Sequence, residues 1–320
     1  MSAPDIPRRW REMAARAADR AADRLHPYWT HHIRLESAPS ARPQPRYGHG
    51  RPPHAGLEAY LARHGETYRA ELAALVAFRD DLVRIPRRRE RPGEPCWDNA
   101  FLLGLDTVSL YGYVRRRAPA RYVEIGSGNS TTVVARARAD GALGTRIVSI
   151  DPRPRAEVDA LCDEVVRQPL ELVDLARFAA LEPGDMVFVD ASHRVFTNSD
   201  MVAFYLDVLP SLPSGVLVGI HDILWPEDYL PEWSPYWFSE QYLLAAYLLG
   251  GGEGVQPVLP CHFASGVPEL AAVLEPLWRE PALAGVDRRG FCFWFGIDRG
   301  RPPGAAAPRA PRPAPGETER

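Results

Sequence analysis

The stretch Val123-Glu124-Ile125-Gly126-Ser127-Gly128-Asn129-Ser130-Thr131 decides the fold. An apolar strand ends in two glycines spaced by one residue and passes directly into a helix. Glycine lets the chain turn tightly and approach a ligand without a Cβ in the way, and the first turn of the helix leaves N–H groups free. Outward from that point the chain alternates. Residues 121–124 read as strand, 130–139 as helix, 146–150 as strand, 154–161 as helix and 164–168 as strand. Then 172–181 reads as helix, 186–189 as strand, 199–209 as helix and 216–220 as strand. Strands apolar on both faces and separated by helix-length crossovers predict a parallel sheet covered on both sides, a doubly wound Rossmann-like α/β fold. After a helix over 241–249, residues 255–259 and 291–297 supply two last strands, about seven in all.

The flanks divide the chain further. Residues 1–55 hold an alanine- and arginine-rich helix (1–27) and a connector rich in Pro, Ser, Arg and Gly; 56–94 form a helical appendage whose apolar residues from Leu57 to Val83 recur at helical intervals. A further helix over 99–116 leads into the main domain, 95–298, and 299–320 reads as a disordered tail with almost nothing to bury. All 38 basic residues are arginine, which removes lysine Schiff-base chemistry, a lysine base and a phosphate loop ending in Gly-Lys. Net charge is +7 over 1–120, −13 over 121–298 and +3 over 299–320. The basic first third alternates arginine with Asp and Glu and has no arginine-aromatic recognition motif, so nucleic acid is not expected as a partner. No apolar run reaches the ~18 residues that span a bilayer, and Arg8-Arg9 is not followed by the apolar core of an export signal, so no membrane partner and a cytoplasmic residence are expected. Cys96, Cys162, Cys261 and Cys292 form no C-x-x-C pair and read as buried thiols.

Gly126 and Gly128, with the polar Ser127, Asn129 and Ser130, are candidate ligand-binding residues at the helix start. Asp151 ends the next strand, where an acidic side chain can accept both hydroxyls of a ribose. Two ligand readings compete with a bare strand-helix turn. A dinucleotide wants a third glycine where this chain has Thr131, and Glu124 sits awkwardly beside a pyrophosphate. A carboxylate there suits S-adenosylmethionine, which carries an ammonium and a sulfonium and no phosphate, and that reading is favoured.

From Trp97-Asp98-Asn99 through the glycine loop, Ser149-Ile150-Asp151-Pro152 and His221-Asp222-Ile223, the chain resembles the class I S-adenosylmethionine-dependent methyltransferases, within them the branch of small-molecule and sugar O-methyltransferases. The resemblance implies a seven-stranded sheet with the last strand antiparallel. It also implies Glu124 on the methionine side of the cofactor, Gly126 and Gly128 lining it, and Asp151 on the ribose. Transfer of a methyl group to an oxygen of a small metabolite is the activity it implies. A cofactor-binding partner subunit without catalysis, or a non-methylating reaction of the same cofactor, are the alternatives.

The fourth and fifth strands end in Asp190-Ala191-Ser192-His193 and His221-Asp222, and neighbouring parallel strands deliver these ends to one crevice. Asp190 is counted with the cofactor-facing residues as well. Methyl transfer to a hydroxyl needs an aligned acceptor and help with its proton. His193 is the first choice of base, with Asp222 and His221 as further catalytic candidates. Magnesium or another divalent cation held by Asp190 and Asp222, with His221 or else His193 completing the set, would lower the acceptor's pKa. A metal-free base and a purely structural cluster stay open beside it. The loop over 224–237 packs Trp225, Trp233 and Trp237 together, either as the wall of an acceptor pocket or as an anchor against a second copy in a homo-oligomer. Glu240 and Gln241 read as helix capping, and Asp98 as an N-cap.

Overall fold

Beta-branched and aromatic residues dominate five short runs that pair in parallel: β1 (Arg121–Ile125), β2 (Arg146–Ile150), β3 (Glu164–Val166), β4 (Met186–Val189) and β5 (Leu217–Ile220). β6 (Val255–Pro260) and β7 (Phe293–Ile297) complete a sheet of order β3-β2-β1-β4-β5-β7-β6 in a computed structural model that describes residues 44–154 and 157–300. β7 runs antiparallel to both β5 and β6, as the resemblance implies. The edge strand β6 carries Pro257 and Pro260 and a bulge, which an edge tolerates because half its N–H groups need no partner.

Side chains alternate between two cores. Tyr122, Phe188, Leu217 and Trp294 face one, with the helices α3 (Gly104–Arg117) and α4 (Asn129–Asp140) over them; Val123, Ile125, Val189 and Phe295 face the other, with Phe204 and Leu244. Strand order reverses between β1 and β4, which opens a crevice beyond their carboxyl ends. The expected helix over 56–84 breaks in two. α1 (Ala55–Ala62) buries Leu57 and Leu61 in the second core, and α2 (Gly65–Leu75) buries Tyr68, Leu72 and Leu75 in the first. The break falls at Arg63 and His64, just ahead of Gly65, glycine being a poor helix former.

Other helices also fall short of expectation. α3 starts at Gly104 rather than at residue 99, because the Asn99 amide folds the chain locally by accepting from Phe101 and Leu102 N–H and donating to Cys96 O. Asp98 caps no helix and instead accepts from Arg87. Among the described residues, the crossovers expected as helices over 154–161 and 172–181 hold short turns, Asp159–Leu161 and Ala176–Ala179, with Leu170–Leu172 between them, in a stretch punctuated by Pro152, Pro154 and Pro169. The helix over 199–209 is a composite, Asp200–Ala203 running through a π-helical stretch, Phe204–Val208, into Leu209–Ser211. The expected N-terminal helix over 1–27 and the tail beyond 300 lie outside the described residues. Among the described residues no helix is long and apolar enough to cross a membrane.

Candidate active site

The two glycines of the loop do different work. Gly126 has φ +82°, and a Cβ there would lie 1.9 Å from the Asp190 carbonyl oxygen, so the close approach of β4 to the loop requires glycine whatever binds in front. Gly128 is extended at φ 175°, and a Cβ on it would meet no atom within 4 Å. Its open face is the cradle that a ligand would fill, at the amino end of α4. Ser127 ties the loop to the next strand: its N–H and Oγ reach Asp151 Oδ2 at 2.8 and 3.4 Å, and Ser149 Oγ donates to Ser127 Oγ at 2.9 Å. Asp151 Oδ1 accepts from Arg153 N–H at 2.7 Å, leaving lone pairs on both oxygens.

Glu124 is 0% exposed. Its oxygens accept from Tyr122 Oη at 3.1 Å and from Thr131 Oγ1, which in turn accepts from Gly128 N–H at 3.1 Å. The carboxyl group therefore braces the loop through Thr131. Asn129 accepts from Arg89, and Ser130 is buried in the first turn of α4.

Burial pushes Glu124 up to about 7, against the hydroxyls that favour its charged form. A folded-state pKa above the ordinary 4.5 means stability fully present below pH 4.5 and lost as pH rises through 7. At ~1.4 kcal/mol per unit, wild type should lose about 3 kcal/mol relative to Glu124→Gln between pH 4.5 and pH 8. Urea unfolding of both proteins across that range checks it; parallel curves would show that Glu124 is already ionised when folded.

Across the loop lies an acid-imidazole cluster. Asp190 N–H donates to Ile125 O at 2.8 Å and His221 N–H to Val189 O at 2.9 Å, which lock both strand ends in place. His193 (φ +59°) and Asp222 (φ +58°) hold left-handed backbone, sharp turns that aim their side chains back into the crevice. His193 Nε2 lies 3.2 Å from Asp190 Oδ1 and 3.5 Å from Asp222 Oδ2; His221 Nδ1 lies 3.5 Å from Asp190 Oδ1 and 3.3 Å from Asp222 Oδ1. So the four residues expected to converge do so.

Two partners escaped the sequence reading. Glu240, on α5 (Glu240–Leu249), is fully buried and bonds His193 Nδ1; it belongs to the cluster and caps nothing. Asp106, on α3, is fully buried, accepts from Phe291 and Cys292 N–H, and lies 3.5 Å from His221 Nε2. A carboxylate inside an otherwise buried helical stretch was the signal for Asp106. Glu240 had none, since an acid in a first helical turn is ordinary.

Burial alone would lower both histidines, but the surrounding carboxylates win, Glu240 first for His193 and Asp222 first for His221, and raise both well above the ordinary 6.5. Asp190 is held low despite its burial because both imidazoles face it, whereas burial raises Asp222. His193, the expected base, turns Nε2 to Asp190 and Asp222 and Nδ1 to Glu240. Asp190, His193 and Asp222 place one ligand atom each within 4.8 Å, and Asp106, His221 and Cys292 do the same. Of the two imidazoles expected to complete the cation set, His193 is the one grouped with Asp190 and Asp222.

Aromatic rings border the cluster. Phe238 lies 4.7 Å from the His193 ring, Tyr236 stacks on Phe238 at 5.5 Å, and Trp233 touches Phe238 and Phe291 edge-on. Trp225 takes no part: it is 2% exposed, and its Nε1 donates to Gln241 O. Gln241 itself accepts from Leu224 N–H and braces the loop.

Residues 123–223 match a family model described as a methyltransferase domain. No curated protein matches the chain. Among solved structures it is similar to an O-methyltransferase from Bacillus cereus in complex with SAH, at 16% identity over 71% of this chain and 90% of that one, TM-score 0.35. It is similar to the SAH-bound Podospora anserina methyltransferase PaMTH1 at 15% identity over 75% and 96%, TM-score 0.36. A branched-chain polyamine synthase from Thermus thermophilus shares 14% identity over 67% of this chain and 64% of that one, TM-score 0.38.

Proposed function

We propose, from the premise that the chain belongs to the class I S-adenosylmethionine-dependent methyltransferases, that it methylates a hydroxyl oxygen of a small molecule held between the glycine loop and the acid-imidazole cluster. One observation carries this reading: the Asp190 carbonyl is pressed against Gly126, so the carboxylates of Asp190 and Asp222 stand directly beside the loop that cradles the cofactor. Ser127, Gly128 and the start of α4 bind the nucleoside and methionine parts without asking for a phosphate, and Asp151 keeps lone pairs for the ribose hydroxyls.

The sulfonium is activated before it arrives, so the protein's tasks are alignment and proton handling. Phe238 and Trp233 offer faces for a ring or a sugar. Asp222 Oδ2 is placed to receive the hydroxyl proton; the acceptor oxygen then bonds the methyl carbon, and the C–S pair returns to sulfur as neutral S-adenosylhomocysteine. The donor set of Asp190, Asp222 and a neighbouring imidazole fits a divalent cation, and such a cation would supply a lowered pKa for the acceptor hydroxyl. Asp190 and Asp222 orient the acceptor in either case.

Calorimetry with S-adenosylmethionine, S-adenosylhomocysteine and NAD, with and without magnesium, tests the ligand. Incubation with methyl-deuterated cofactor and hydroxylated aromatic or sugar acceptors tests the reaction. We expect binding of both sulfur nucleosides and a deuteromethyl ether together with S-adenosylhomocysteine. A preference for NAD, or cleavage of the cofactor without S-adenosylhomocysteine, would overturn the reading.

A further inference from the structure

We infer that the cluster is a two-imidazole, two-carboxylate site selective for a transition metal, of the manganese, iron, cobalt or zinc kind, with Glu240 and Asp106 as positioning residues behind its two histidines. The inference rests on the cation site just proposed and specifies its ion.

Each imidazole has one nitrogen turned to Asp190 and Asp222 and the other to a buried carboxylate. His193 offers Nε2 to the pair and gives Nδ1 to Glu240; His221 offers Nδ1 and turns Nε2 to Asp106. A carboxylate on the far nitrogen fixes the tautomer, so that the near nitrogen presents its lone pair, an arrangement that recurs behind metal-bound histidines. Asp106 cannot swing away, since Phe291 and Cys292 N–H hold its Oδ1 at 2.7 Å and Phe291 N–H also reaches Oδ2 at 2.9 Å.

The distances favour an ion over hydrogen bonds. Both nitrogens of the buried His221 lack a hydrogen-bond partner, although carboxylates lie within 3.5 Å. Asp190 Oδ1 lies 3.2 Å from His193 Nε2 and 3.5 Å from His221 Nδ1, while Asp222 meets the two rings through its two oxygens, Oδ2 at 3.5 Å from His193 and Oδ1 at 3.3 Å from His221. Ligands about 2.1 Å from a tetrahedral ion stand about 3.4 Å from one another, so these edges match a coordination shell better than a donor and its acceptor. Two imidazoles also argue against magnesium, which takes oxygen ligands and keeps its waters, and for the ions that imidazole suits.

The test uses the whole chain. Cobalt(II) is titrated against its visible absorption, magnesium competes in equilibrium dialysis, and nitrogen coupling is counted by pulsed electron-spin spectroscopy on manganese-loaded protein. We expect one cobalt per chain, coupling from two imidazoles, and cobalt retained against a hundredfold magnesium excess. His221→Gln should remove one of the two couplings. Glu240→Gln should keep both but weaken cobalt about 10- to 100-fold, the usual effect of losing such a partner. A purely structural Glu240 would alter melting and leave cobalt affinity unmoved. Should a variant fail to fold, the nitrogen count of the wild type still decides. Tight magnesium without nitrogen coupling would overturn this inference and leave the proposed function standing, whereas failure to bind any ion, with S-adenosylhomocysteine still bound, would overturn both the inference and the cation role.

Discussion

Gly126→Ala is expected to leave no stable native protein, while Gly128→Ala folds and loses the cofactor. At residue 126 a new Cβ would stand 1.9 Å from the Asp190 carbonyl oxygen and 2.6 Å from its carbon, and φ +82° is unfavourable for alanine before any clash is counted. Neither neighbour can give way. The obstacle is backbone, and Asp190 N–H and Gly126 N–H are both bonded into the sheet, at 2.8 Å to Ile125 O and 2.9 Å to Ile150 O. Left-handed strain alone costs roughly 1–3 kcal/mol, and an overlap of that depth adds several more, against a total stability of about 5–15 kcal/mol. At residue 128 the Cβ meets nothing, so unfolding free energy should stay within about 1 kcal/mol of wild type. The same methyl projects into the cradle, and S-adenosylhomocysteine affinity should fall about 10- to 100-fold, or roughly 1.4–2.8 kcal/mol. Thermal melting followed by circular dichroism and titration calorimetry separates the two effects. A Gly126→Ala protein that melts like wild type would show that the loop and β4 are not packed as described, and unaltered affinity in Gly128→Ala would move the cofactor elsewhere.

That contrast marks how far the residues spoke for themselves. The strand-glycine-helix run and the apolar strands were legible because they reflect local rules: period, turn chemistry, burial on two faces. Hence about seven strands were expected and seven are found among the described residues. What the local rules miss is who meets whom across long separations. Gly126 reads as a ligand glycine, yet its necessity comes from Asp190, 64 positions away in sequence. Asp106 and Glu240 come from helices on either side of the sheet, and no spacing links them to His221 and His193. Glu124 was legible as a residue on β1, but its bonds to Thr131 and Tyr122 were not. The crossovers over 154–161 and 172–181 failed differently: among the described residues they hold only the short turns Asp159–Leu161 and Ala176–Ala179.

Asp222→Asn should lower turnover about 100- to 10,000-fold while cofactor affinity stays within about twofold, the range expected when a positioned proton acceptor and ligand is lost. The substitution is clean for a backbone reason. Residue 222 holds φ +58°, a region that Asn and Asp tolerate and alanine does not, so Asn keeps both shape and turn where Asp222→Ala would add strain and confuse the result. The introduced amide would still offer one oxygen to His221 or His193, but no charge and no second acceptor. The proposed cofactor contacts, Ser127, Gly128 and Asp151, follow β1 and β2, and the bonds that hold these three residues do not involve Asp222. Release of S-adenosylhomocysteine measured beside its binding therefore distinguishes reaction from recognition. A variant within threefold of wild-type turnover would remove Asp222 from the chemistry and throw the proton back on the imidazoles. Parallel loss of turnover and binding would mean instead that the strand ends of β4 and β5 carry the cofactor as well as the acceptor.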